Sequence, residues 1–324
     1  MTTRKLRYFV AVAEELHFSR AAARLHLAQQ ALSRQIKGLE DEVGAPLFER
    51  TTRHVALTPA GRTFLAGARA ALSAFDDAVY DAQREARELS GTLRLGYITG
   101  AALELTPYIL ATFRERHPSV TIEMHESPAA DPSAGLRDGA SDVAFIRMPQ
   151  CHNGIHTQRL FDDPVVAMLS AQHRCARQTA VSVSDILADP ITISATDDEI
   201  YRAFWRLDAA RTTPPDEVPI ASVTEEIQVV ATGAGVSVTS AALTRYMAMP
   251  TLRCLPIVDW PASEVVVGWR TREDSELVQQ FVQAARDACD AHPDVIQGIE
   301  APPRMTTDEV TPESGWVRGD PAIR

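Results

Sequence analysis

No stretch of this 324-residue chain approaches the roughly 18 consecutive apolar residues that a membrane-crossing helix needs. The N-terminus, Met1-Thr2-Thr3-Arg4-Lys5, leads straight into an amphipathic pattern holding Glu14 and Glu15. The uninterrupted apolar core of a signal peptide is missing there, and a cytoplasmic location is expected. Cysteine is scarce. Cys151, Cys175, Cys254 and Cys289 lie far apart with no C-x-x-C pair, which speaks against a zinc ribbon and against a disulfide framework. Four ordinary thiols are expected; a redox pair among them is the sharper alternative and requires a lowered thiol pKa. Cys151-His152 with His156 is a loose metal-like cluster without a fourth ligand, so no metal site is expected. No Ser-His-Asp spacing, P-loop or H-E-x-x-H is present, and neither an enzymatic activity nor a cofactor is expected. Thr232-Gly233-Ala234-Gly235-Val236 follows a helical stretch and precedes a strand, the reverse of the dinucleotide-binding order, and reads as a helix end and turn.

Lysine is almost missing: Lys5 and Lys37 are the two in the chain, both within the first 62 residues. That segment carries ten Arg/Lys against six Asp/Glu, a balance of +4, whereas the remaining 262 residues carry 22 against 37, or −15. A basic head on an acidic body suits a protein whose head touches phosphate while its body stays off the duplex.

The head reads as three helices and a wing. Leu6, Phe9, Val10 and Ala13 recur at i, i+3, i+4 and i+7. Ser19 is the expected N-cap of a short helix over 20–26 that buries Ala21, Ala22 and Leu25. A third helix runs to Val43 and stops at Gly44, with Leu32, Ile36, Leu39 and Val43 on one face. Gln30, Ser33, Arg34 and Lys37 lie roughly opposite, by the 100° advance per residue. An exposed helix with this stripe fits the major groove, where Gln pairs with adenine and Arg with guanine; Lys37, farther along, suits phosphate. Two short extended pieces follow around a basic turn, with Arg50, Arg53 and His54 at the tip, where a wing meets the DNA backbone or minor groove.

Five motifs carry a resemblance: Phe9-Val10-Ala11-Val12-Ala13-Glu14, Phe18-Ser19-Arg20-Ala21-Ala22, Leu32-Ser33-Arg34-Gln35-Ile36-Lys37-x-Leu39-Glu40, Gly44-x-Pro46-Leu47-Phe48-Glu49-Arg50 and Leu57-Thr58-Pro59-Ala60-Gly61. Together they resemble the DNA-binding domain of LysR-type transcription regulators, over nearly all of residues 4–65. The resemblance implies that Gln29, Gln30, Ser33 and Arg34 read bases, with Arg50, Thr52 and Arg53 supporting on the DNA backbone. Many relatives place Ser or Thr before the residue equivalent to Gln29; here it is Ala28, which forfeits an N-cap oxygen worth on the order of 1 kcal/mol.

Thr58-Pro59 opens a long helix with no further proline before Ser90-Gly91, and Phe64, Ala68, Ala71, Phe75, Val79, Ala82, Ala86 and Leu89 step by three or four along one face. A stripe of this kind packs on another chain or on the protein's own body. The resemblance favours a homodimer through this helix, or a tetramer of two dimers, on a partly palindromic operator. Contact with RNA polymerase is expected on the same ground.

From residue 91, strands over 91–97, 120–125, 142–146, 165–169, 191–194 and 264–269 alternate with helices over 103–117 and 275–291, which predicts parallel α/β lobes. The order is similar to the LysR effector domain, a two-lobed periplasmic-binding-protein-like (type 2) fold with a ligand cleft between its lobes. The expected fold is thus α + α/β. A winged helix-turn-helix occupies 1–58, a linker helix 59–90, and an effector domain 91–295. Lobe I covers about 91–161 and 267–295, lobe II about 162–266, and a mobile tail follows over 296–324.

In such a cleft, helix N-termini offer N–H groups to an anion. Thr99, Gly100 and Ala101 would open the first-lobe helix; Ser194, Ala195 and Thr196 follow a second-lobe strand; Thr224 joins this set, and Arg147 is the cation expected near the ligand. Relatives that sense aromatic acids often carry a Thr pair after the second strand. Pro128 and Ala129 stand there, against an aromatic carboxylate and in favour of some other small organic effector.

Overall fold

The computed structural model describes residues 1–50, 55–246, 250–272 and 275–301, the side chains at 80, 83–90 and 246 excepted. The chain divides into two compact units, Met1–Ser90 and Gly91–Arg324. Among the described residues, no helix is long and apolar enough to cross a membrane.

In the first unit, α1 (Thr3–Glu15), α2 (Phe18–Arg24) and α3 (Gln29–Val43) surround a core in which Phe9, Leu32, Ile36, Leu39 and Leu47 are inaccessible to solvent. Phe9 packs against Phe48 and Phe64 with ring centroids 5.3 and 5.1 Å apart. The cap of α2 is His17, whose Nδ1 accepts from the Arg20 N–H, and not the expected Ser19, whose hydroxyl turns to Gln29. Ala28 leaves the start of α3 without a side-chain cap. Two three-residue strands, β1 (Phe48–Arg50) and β2 (Val55–Leu57), pair antiparallel.

The long helix α4 (Pro59–Ser90) begins on the Thr58 hydroxyl, which accepts from the Gly61 N–H and donates to the Pro46 carbonyl, both at 2.8 Å. A Cβ at Gly61 would stand 2.0 Å from the Leu47 carbonyl oxygen, so only glycine lets the helix lie this close to the chain entering the wing. The apolar stripe of α4 divides. Phe64 and Ala68 join the core of the head, while Phe75 and Val79 are exposed. Arg69–Glu14 and Arg7–Asp76 ion pairs tie the helix to α1.

The second unit opens with β3 (Thr92–Tyr97), α5 (Thr106–Arg116), β4 (Thr121–Glu126), β5 (Val143–Met148) and β6 (Ile155–Asp163). After Pro164 the chain enters a second lobe, holding β7 (Val165–Ser170), α6 (Val183–Ile186), β8 (Ile191–Ser194), α7 (Glu199–Trp205), β9 (Glu217–Ile220), α8 (Val223–Ala231), β10 (Ser237–Ser240), α9 (Ala242–Tyr246) and β11 (Leu252–Pro256). It then returns through β12 (Ser263–Arg270), α10 (Glu276–Ala291) and α11 (Pro293–Glu300).

The first-lobe sheet has the order β4-β3-β5-β12-β6, and the second lobe holds β10-β7-β11 and a separate β8-β9 pair. The lobes are therefore mixed rather than parallel. β3 runs parallel to β4 and β5, but β12 enters between β5 and β6 antiparallel to both, and β7 is antiparallel to β10 and β11. The crossovers also fall elsewhere than expected: first-lobe pairing continues to Asp163 and resumes at Ser263, not 161 and 267.

The expected mobile tail from 296 is corrected by α11. Ile299 is buried in the first-lobe core, and the Glu300 carboxylate accepts from the Asp162 N–H at 3.0 Å, fastening the helix to β6. Residues 302–324 lie outside the described residues.

Candidate functional site

Two sites take shape, one in each unit. On α3, Gln29, Gln30, Arg34 and Lys37 are exposed and Ser33 is half-buried, while the opposite face forms the core. The Glu40 carboxylate holds the wing to this helix: Oε1 accepts from the Leu47 and Phe48 N–H groups at 2.9 and 3.1 Å, and Oε2 from Arg50 at 2.7 Å. The Arg50 guanidinium also reaches Ser33 Oγ at 3.4 Å and lies over the Phe18 ring, 4.7 Å from its centroid. Arg50 thus ends β1, anchored to the head, rather than standing free at a turn tip. Thr52, Arg53 and His54 lie outside the described residues. Beside the stripe, Thr2, Arg4, Lys5, Tyr8, Leu27 and Gln35 line an open depression between α3 and the start of α1.

In the second unit a cleft between the lobes encloses about 90 Å³. Thr99, Ser127 and Arg147 face it from the first lobe; Thr192, Ser194, Tyr201, Glu226 and Ser240 face it from the second. Apolar walls come from Ile98, Trp205, Ile220 and Val238. Of the eight residues expected from sequence, three line it: Thr99, Arg147 and Ser194. Ala101 is a core residue whose N–H is bonded to the Ile98 carbonyl, and Thr99, Gly100 and Ala101 precede the helix instead of opening it, because turns occupy 99–105 and α5 starts at Thr106. No helix N-terminus is therefore offered to an anion there. Gly100, in the left-handed region at φ +77°, aims its carbonyl at Arg147. Ala195 and Thr224 are exposed and off the cleft, and Thr196 spends its hydroxyl on the Asp198 N–H.

Arg147 is buried and committed. It donates to the Gly100 carbonyl at 2.7 Å, and its Nη1 lies 2.8 Å from Oδ2 of Asp163, itself fully buried. Both atoms of that ionic contact are sealed from solvent and lack the alignment of a hydrogen bond. Asp163 also meets Arg245 at 3.3 Å, and Arg245 pairs with Glu104. Two cations and two carboxylates thus close a neutral set joining α9 to the first lobe.

Glu226, absent from the sequence expectations, is the one carboxyl lining the cleft among the described residues. It takes the apolar position of α8 in the i, i+3, i+4, i+7 series Val223, Glu226, Ile227, Val230, a signal readable in the sequence. Its Oε1 accepts from Ser237 at 2.6 Å and from Thr192 at 3.1 Å. Oε2 accepts no hydrogen bond among the described residues. Burial pushes this carboxyl above the usual range, against the downward pull of the two hydroxyls. Burial likewise pushes the Tyr201 phenol up to about 12, keeping it a neutral donor.

A second bridge joins the lobes. Asp198, the N-cap of α7, accepts from the Tyr201 N–H at 3.0 Å and, across the lobes, from the Cys151 N–H and the Arg137 guanidinium, both at 2.9 Å. Burial works to raise its pKa; these three donors and the Arg137 charge outweigh it and hold the carboxyl below the ordinary range.

The loose metal-like cluster does not assemble: His152 bonds the Gln150 carbonyl and His156 packs on Trp269. Among the described residues no three His, Cys, Asp or Glu side chains gather as metal ligands. Burial pushes the Cys254 and Cys289 thiols up to about 11, the opposite of what a reactive thiolate needs.

The family described as bacterial regulatory helix-turn-helix protein, lysR family, matches residues 3–62, and the LysR substrate binding domain matches residues 86–290. Among curated relatives, the HTH-type transcriptional regulator AlsR of Bacillus subtilis is 39% identical over 191 residues, 59% of this chain and 63% of that protein. The uncharacterized HTH-type transcriptional regulator YnfL of Escherichia coli is 33% identical over 287 residues, 86% of this chain and 95% of that protein. Among solved structures, full-length BenM is 27% identical with a TM-score of 0.52, covering 94% of this chain and 100% of that one. With a polar reading helix in its first unit and a two-lobed cleft in its second, the chain belongs to the LysR family of transcriptional regulators, which are not enzymes, and joins a helix-turn-helix DNA-binding domain to an effector-binding domain.

Proposed function

We propose that this chain regulates transcription in the bacterial cytoplasm by reading an operator with Gln29, Gln30, Ser33 and Arg34 of α3. Lys37, Arg50, Thr52, Arg53 and His54 hold the DNA backbone, and a small molecule in the interlobe cleft controls the outcome. The observation that carries the reading is the exposed polar stripe of α3, whose orientation to the wing is fixed through Glu40. Exposed Phe75 and Val79 on α4 support a homodimer through that helix, since burying them on a second copy removes apolar surface from water. Two dimers would make a tetramer, and contact with RNA polymerase follows from bending or exposing the promoter. Thr99, Arg147 and Ser194 are retained as effector-contacting residues, joined by Thr192, Tyr201, Glu226 and Ser240. Gly100 acts through its carbonyl on Arg147.

The test is Arg34→Ala in a fluorescence-anisotropy titration with operator and scrambled duplexes. Specific binding weakens by about 1–3 kcal/mol, while the oligomeric state in sedimentation stays that of the wild type. Unchanged operator affinity would remove α3 as the reading helix.

A further inference from the structure

The lining of the interlobe cleft holds two ionisable side chains that carry charge near neutrality elsewhere, Arg147 and Glu226. Arg147 is already balanced. Asp163 stands against it, its remaining contact is the Gly100 carbonyl, and Nη1 is sealed from solvent. A ligand carboxylate would have to share a guanidinium whose charge Asp163 already balances, adding a second buried anion beside it. A ligand cation would find Glu226, but that carboxyl sits among Thr192, Ser237 and apolar walls, with no second acidic group lining the cleft among the described residues. Of the other polar groups presented, Thr99 already donates to Glu126 and Ser127 to Asp131, while Ser194, Tyr201, Thr239 and Ser240 are hydroxyls that pair with carbonyl, hydroxyl or amide groups at no charge cost.

Resting on the reading of this cleft as the effector site, we propose that the effector is a small uncharged molecule bearing a carbonyl, hydroxyl or amide group, and that Glu226 is the residue which selects it through Oε2. Oε1 is saturated by Ser237 and Thr192, so Oε2 is the atom of this carboxyl left to meet a ligand. Burial among apolar walls favours its protonated form, in which Oε2 donates to a ligand oxygen. A ligand anion buried in the same place has no unbalanced cation to meet, and a ligand cation gains Glu226 only by displacing its proton.

The experiment compares three probes of nearly equal size with the full-length protein at equal concentration and matched ionic strength: propionamide, propionate and n-propylammonium. Affinity is read by thermal shift, which follows the ratio of free probe to Kd. Location is read by hydrogen exchange on the cleft segments 191–194, 223–227 and 237–240. Propionamide should bind tighter than either ion by about tenfold or more and protect the cleft segments. Glu226→Gln should keep its propionamide affinity within about threefold, because the amide still accepts at Oε1 and donates from Nε2, while Glu226→Ala loses about tenfold. Cleft protection that is strongest with propionate or propylammonium overturns the ligand class and leaves the effector site in place. Protection elsewhere, or none with any probe, removes the cleft as the effector site and the proposal with it. Equal propionamide affinity in wild type and Glu226→Ala removes Glu226 from the selection.

Discussion

Glu226 buries a carboxyl on the apolar face of a helix, and the two hydroxyls on Oε1 do not offset its lost hydration. The sign of the pH effect follows. The folded chain holds this proton more tightly than the unfolded chain, so stability is lost as pH rises from the ordinary Glu range through the raised folded value. Glu226→Gln keeps both hydroxyl bonds and has no proton to lose. Its stability relative to wild type should therefore increase from pH 5 to pH 8 in urea denaturation; a difference that stays constant across that interval would contradict a raised carboxyl. At this scale the head was readable in advance and the cleft was not. Gln30 and Arg34 are exposed because they face away from Leu32, Ile36 and Leu39 on one helix, a relation set by spacing alone. Arg147 was found by its place at a strand end, but its neutralisation by Asp163 depends on a partner 16 residues away at the crossover between lobes.

Among the elements, the wing is held less by its own short strands than by α3. Glu40 satisfies two backbone N–H groups and one guanidinium at once, which two three-residue strands cannot do for themselves. Glu40→Ala should destabilise the head by about 1–3 kcal/mol, the cost of leaving those donors unpaired, and should weaken operator and scrambled duplex alike. Calorimetry and anisotropy check both parts; loss confined to the operator would mean that Glu40 affects base reading instead. The long helix was legible from Thr58-Pro59 at one end and Gly91 at the other, but the division of its stripe was not. Phe64 and Phe75 look alike in sequence, and only the position of Phe9 decides which of them is covered. The strand β6 escaped because its sequence, Ile155-His156-Thr157-Gln158-Arg159, is polar in the manner of a sheet edge. The antiparallel placement of β12 follows from where the chain re-enters the first lobe, which no local pattern encodes.

In the effector-binding unit, two ionic bridges span the lobes: the set of Arg147, Asp163, Arg245 and Glu104, and the Asp198 contacts to Cys151 and Arg137. The second is the simpler to open. Asp198 is fully buried, while Arg137 keeps 39% of its side chain exposed, so the bridge is anchored on the second lobe and reaches solvent on the first. Residues 137, 151 and 198 are joined only by the folding of both lobes, and for that reason the sequence carries no sign of the bridge. Asp198→Asn retains a good N-cap for α7 but removes the charge, and one amide oxygen cannot serve Tyr201, Cys151 and Arg137 together. Loss of the bridge should cost about 1–2 kcal/mol and speed amide exchange at Cys151, with exchange at the α7 start little changed. Because the Asp198 pKa is lowered on folding, its stabilisation is complete above the ordinary Asp range and is lost as pH falls through the folded value. The stability gap between wild type and Asp198→Asn should therefore narrow on acidification. A gap that is constant with pH, together with unchanged exchange at Cys151, would show that the two lobes are held together without Asp198.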